Sequence, residues 1–144
     1  MSAGAETIEA QKWARATLAA GTALMAAVTG IYDDMAPRNA QTPFVSIGVH
    51  DASDWNALRG TRQAVDIDLT IKAVTSGNTY QGAADVMALA DPLLIAPGTV
   101  LSGTVPVLLV LGCYRVTSVQ YSEIDDGQRF NHVGGVYRLA VQTP

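Results

Sequence analysis

An α+β domain, with a mainly antiparallel sheet and helices packed on one of its faces, is the fold class this sequence predicts. Three observations carry it. From Arg62 to Val74 apolar and polar residues alternate strictly. From Phe130 to Thr143 a second alternating run follows the turn residues Asp125, Asp126 and Gly127. Two further segments place apolar residues at helical spacing, one at the start of the chain and one after the first alternating run. Helices and strands mixed in that order, without a regular βαβ repeat, belong to an antiparallel sheet covered on one side.

The first helix is expected between Glu6 and Thr29. Thr7, Ala10, Ala14, Leu18, Gly21, Met25 and Val28 form one stripe, with Glu9, Lys12 and Arg15 opposite. Gly21 weakens the helix there by about 1 kcal/mol, which predicts a kink or an early end, and Gly30 stops it. Pro43 introduces a strand from Phe44 to His50, with Val45, Ile47 and Val49 on one face. The segment from Asp51 to Thr61 shows no clean period and predicts a long, mobile loop at about 51–62.

The strand from Arg62 to Val74 directs Val65, Ile67, Leu69, Ile71 and Ala73 to the core, and Asp66, Asp68, Thr70 and Lys72 away from it. Ser76, Gly77, Asn78 and Thr79 supply a turn and an N-cap for a second helix, whose stripe is Tyr80, Ala83, Ala84, Met87, Ala90 and Leu94. Pro92 kinks or finishes that helix. Val105 to Leu111 and Tyr114 to Glu123 read as one strand bent at Gly112. In the closing strand Val133, Tyr137, Leu139 and Val141 share a face, and Gly134 and Gly135 are expected to loosen its start.

Composition narrows function. A chain of 144 residues, 49% hydrophobic and 15% charged, encloses a core without metal or disulfide and is expected to fold as one domain spanning 1–144. Low charge leaves apolar surface for contacts with other protein chains. Nine basic against thirteen acidic residues, with no basic cluster, argue against direct nucleic-acid binding. The single cysteine, Cys113, lies in an apolar run and reads as structural. The longest apolar run, Val105 to Leu111, is far too short to span a membrane, so a cytosol-like compartment is expected.

The search for chemistry is negative. His50 and His132 belong to no catalytic motif, and each is expected as a solvent-facing strand residue. Of the acidic pairs Asp33/Asp34, Asp66/Asp68 and Asp125/Asp126, only the middle one shares a strand face, which is too few ligands for a metal. There is no phosphate-cradling glycine loop. No catalytic residue, metal or cofactor is expected, and the chain does not read as an enzyme. Trp55 stands out: in a polar segment it either anchors a neighbouring subunit or folds back on its own sheet.

Several stretches taken together carry a resemblance. They are the amphipathic first helix, Ile31-Tyr32-Asp33 leading through Pro37 to Pro43-Phe44-Val45-Ser46-Ile47-Gly48, and Asp54-Trp55 before the strand Val65 to Ala73. The helix near Tyr80 and the pairing of Gly112-Cys113-Tyr114-Arg115-Val116 with Val133 to Val141 complete the set. Over nearly its whole length the chain resembles the tail terminator, or tail completion, proteins of long-tailed phages and gene transfer agents. The resemblance implies a virion protein that forms a homo-oligomeric ring, a hexamer, capping the tail tube. It further implies that the ring halts tube polymerisation and offers the surface for head-tail joining. Implied partners are copies of itself, the tail tube protein and head-tail connector proteins, with DNA passing through without specific binding and no membrane involved. On this reading Asp54, Trp55, Leu58, Arg59 and Arg62 are the candidate subunit-contact residues, and Asp66 and Asp68 the candidate lumen-facing acids. The rival readings are another neck protein, such as a head-completion or connector-ring subunit, and a small-molecule-binding α+β domain.

Overall fold

The computed structural model describes residues 3–56, 62–95 and 109–142. In chain order it contains helices α1 (Ala3–Ala19) and α2 (Thr22–Ala27), then strands β1 (Ile31–Asp33), β2 (Phe44–Asn56) and β3 (Arg62–Ser76). Helix α3 (Gln81–Leu94) and strands β4 (Leu109–Asp125) and β5 (Gln128–Gln142) follow. The five strands form one sheet in the order β1-β2-β3-β5-β4. Every neighbouring pair is antiparallel except β1 with β2. The α+β class is as expected from the alternating runs.

The first helix is broken where Gly21 predicts. Ala20 and Gly21 close the last turn onto Ala16 and Leu18, and a Cβ at position 21 would lie 2.3 Å from the Leu93 side chain, so α3 packs against the break. Restarting the helix resets its phase. Leu24 turns inward and Met25, assigned to the inner stripe from sequence, is 38% exposed. Trp13, absent from that stripe, is buried at its centre.

The largest departure lies in β2. Residues 51–56, expected in a loop, continue the strand and pair with β3 from Asp51↔Asp68 to Asn56↔Arg62. A bulge between Val49 and Asp51 leaves His50 without a partner in the ladder and inverts the alternation. That inversion erased the period on which a strand would have been read. The firm alternation of β3 supplies the backbone partners, so tertiary pairing overrides the weak strand propensity of Asp, Ser and Asn. Residues 57–61 lie outside the described residues.

On β3, Val65, Ile67, Leu69, Ile71 and Ala73 are all buried, as the alternation predicts. They meet Ala10, Trp13, Ala14 and Leu18 of α1 and Ala83, Val86, Met87, Ala90 and Leu94 of α3 in one core. Helix α3 runs two residues past Pro92, where the Ile95 N–H reaches the Asp91 carbonyl at 3.1 Å. Its N-cap position is Tyr80, with no side-chain cap from the expected turn residues.

Gly134 and Gly135 do not loosen β5. Both are buried in mid-ladder, and a Cβ on Gly134 would stand 2.1 Å from the Ile71 carbonyl oxygen. The glycines are what let β3 and β4 approach. The hairpin between β4 and β5 turns on Asp126 (φ 52°) and Gly127 (φ 74°), the two positive values that a two-residue type I′ turn needs. Bulges in β4 fall between Val110 and Gly112, matching the bend expected at Gly112, and between Arg115 and Thr117.

Candidate assembly surface

All three helices lie on one side of the sheet, and the register of the strands determines which side chains line the other. Opposite the buried residues of β3 stand Asp66, Asp68 and Lys72. Across the ladder Asp68 is level with Asp51 of β2 and Arg138 of β5, and Arg138 with Tyr114 of β4. Among the described residues no helix covers this face.

One end of the open face is a polar network. The Arg138 guanidinium donates to both Asp68 oxygens, Nε to Oδ1 at 2.8 Å and Nη2 to Oδ2 at 3.0 Å. Its hydrogen bonds to Asp68 and to Tyr114 push the Arg138 pKa further up. The indole N–H of Trp55 donates to Asp66 Oδ2 at 2.8 Å, yet Trp55 remains 49% exposed. The two readings of Trp55 therefore merge: its polar edge is tied to its own sheet while half of the ring faces outward.

The opposite end of the face holds an open groove of about 520 Å³, bordered by Met35, Arg38, Phe44, Lys72, Glu123 and His132. His132, expected in solvent, is 6% exposed. Tyr121 of the edge strand stacks on it at 4.4 Å with a 7° interplanar angle, and its Nε2 lies 2.6 Å from Glu123 Oε1. Burial lowers the His132 pKa, against the opposing pull of Glu123, and nearby Lys72 adds to the lowering. His50, by contrast, is exposed at the bulge.

On the helix side, Asp91 of α3 accepts hydrogen bonds from the buried Tyr137 hydroxyl and, at 2.8 Å, from Arg115 Nη1. Burial and the adjacent Asp91 raise the Tyr137 pKa. Burial likewise pushes the Cys113 thiol up to about 12, with Asp91 adding to it, which makes this cysteine a poor nucleophile. Among the described residues no group of three His, Cys, Asp or Glu side chains could hold a metal ion.

The structure divides the candidate residues. Asp54 is level with Val65 and Trp55 with Ala64, so these sequence neighbours point to opposite faces of the sheet and do not form one contact loop. Arg62 begins β3 opposite Asn56. Leu58 and Arg59 lie outside the described residues. Asp66 and Asp68 do share the open face, but each already has a partner, Trp55 and Arg138. Arg138 is the residue that sequence reasoning missed. Its neighbours Tyr137 and Leu139 were expected to share a face, so the same alternation puts Arg138 on the other one, which the ladder shows to be the face of Asp68.

The fold and its open face define a structural α+β domain built around a single half-covered sheet. A family model for tail completion protein gp17 matches residues 14–130, and the chain belongs to that family. It is therefore a structural protein of the phage tail or neck, and the virion is its location. Among solved structures it is similar to a chain described as "Virion of native gene transfer agent (GTA) particle". That similarity has a TM-score of 0.74 and 22% identity, and covers 98% of each chain. No curated protein sequence matches.

Proposed function

We propose that the protein is a tail terminator: copies of it form a ring, a hexamer, on the end of the finished tail tube, halt its polymerisation and present the surface to which the head joins. The observation that carries this reading is membership of the tail completion family over residues 14–130. The half-covered sheet supports it. A closed ring needs heterologous contacts, in which two different surfaces of each copy meet. This molecule has separate surfaces to offer: the open face, the two sheet edges and the outer sides of the helices. The partners on this reading are further copies, the tail tube protein and the head-tail connector proteins.

In such a ring the acids of the open face would line the DNA path. Because Arg138 neutralises Asp68, Asp66 is the residue whose charge would repel passing phosphate. Asp66→Lys should slow DNA exit in an infectivity assay, and an unchanged phage would remove the lumen role. The ring itself is tested by light scattering and negative-stain microscopy of the protein alone and with purified tail tubes. Caps on one tube end are expected. A protein that binds heads or connectors but never tubes would instead be a different neck component.

A further inference from the structure

The two edges of the sheet differ from what an isolated domain tolerates. Strand β4 is an edge of 17 residues whose outer side has no partner among the described residues. Natural edge strands are guarded by lysines, prolines or short length. From Val110 to Ser122 β4 contains no proline and one charge, Arg115, which is turned to Asp91 on the helix side. Its exposed side chains include Leu111, Tyr114, Val116, Tyr121 and Ile124, at 40% to 77% exposure. The other edge is open along part of its length. β1 covers β2 only from Val45 to Ile47, so from Gly48 onward β2 has β3 on one side and no strand on the other among the described residues. Val49 and Trp55 stand exposed there.

The geometry points to these edges as the two halves of one interface between copies: the β4 edge of one copy pairs antiparallel with the free β2 edge of the next, continuing the sheet across the subunit boundary. This rests on the ring reading above and specifies its contact. Strand direction fits. With the order β1-β2-β3-β5-β4, β2 and β4 run oppositely, so copies related by rotation about an axis along the strands bring them together antiparallel. Level fits as well. Followed rung by rung through β3 and β5, Gly48 is level with Thr117 and Asp54 with Val110, so the stretch of β2 beyond β1 faces the first half of β4. On the open face this sets Asp51 level with the neighbour's Tyr114 and Trp55, one rung beyond Asp54, level with its Leu109, an apolar contact for the exposed ring across the new strand pair. The partner that fits is a second copy, because one chain carries both edges at matching heights and opposite directions.

The test uses two doubly substituted chains, Tyr114→Lys/Val116→Lys on β4 and Val49→Lys/Trp55→Lys on β2, with Ile8→Lys on α1 as control. Assembly is read by light scattering with and without tail tubes. Each double variant alone should stay monomeric while the control assembles like the parent. An equimolar mixture should give dimers of twice the monomer mass, because one intact edge of each kind remains. In the parent protein, backbone amide exchange at 48–54 and 110–117 should slow at least tenfold on assembly, a readout that needs no variant. Homodimers of the β2-edge variant would show β4 pairing with itself and overturn the proposal. Double variants that still form rings, or unchanged exchange at both edges, would overturn it while leaving the ring reading in place. A parent protein that never assembles on tubes would end both.

Discussion

The helix-covered face and the open face of the sheet are made by the same strands and follow different chemistry. On the covered face β3 presents five buried apolar side chains, and the polar tie, Tyr137 and Arg115 to Asp91, links sheet to helix. On the open face charges and aromatic rings hold one another at the surface: Arg138 with Asp68, Trp55 with Asp66, Tyr121 with His132. Stability is concentrated on the first face and readiness for contact on the second. Substitutions should separate the two.

The largest effect is expected on the covered face. Leu69→Ala removes a fully buried side chain beneath α1 and α3 and should cost about 3 kcal/mol in a denaturant titration. A loss near zero would mean that the helices do not seal this side. Gly134→Ala is next, at about 2 kcal/mol, because its methyl group meets the Ile71 carbonyl and only a backbone shift relieves the contact. Tyr137→Phe should cost about 1 kcal/mol, since Asp91 keeps its second donor, Arg115.

Smaller effects belong to the open face. The lowered His132 pKa means that the unfolded chain binds this proton more readily than the folded one. Stability from this residue is thus present above about pH 6.5 and is lost as pH falls toward the folded pKa. Thermal melts between pH 7.5 and pH 5 should show that slope, and His132→Gln should flatten it. Trp55→Ala should change stability least, by about 0.5 kcal/mol, while weakening assembly on tail tubes. A large stability loss with normal assembly would reverse the comparison and make Trp55 a core residue.

The same contrast explains what was legible in the sequence. The covered face was readable where burial imposes a strict period, as in β3 and in Tyr137, Leu139 and Val141 of β5. Leu24 escaped because the break at Gly21 shifts the phase of a stripe read as continuous, and Trp13 because that stripe follows i, i+4 spacing from Ala10 and leaves out the i+3 position on the same face. Strand β1 escaped because three residues show no period, and the end of β2 because one bulged residue inverts it. On the candidate surface, the shared face of Asp66 and Asp68 could be read from spacing alone, and Trp55 stood out by its residue type in a polar segment. Their partners could not, since a one-dimensional pattern gives a residue's face and not its neighbour across the ladder. His132 was misjudged for that reason: only the pairing of β4 with β5 places Tyr121 over it.

Sheet order and chain order also disagree. β3 sits between β2 and β5, although β5 is the last of the strands to be synthesised. Until residue 128 and those after it emerge, β3 has a neighbour on one side only, and β4 has none among the strands. Contacts so distant along the chain form slowly, because a long loop must close before they stabilise anything. The hairpin at Asp126 and Gly127 then acts as a late latch: β5 brings β4 with it, closes the sheet and creates the β4 edge in a single event. On the interface proposed above, a half-made chain would have no ordered β4 edge to present to another copy, because β4 joins the sheet only through β5.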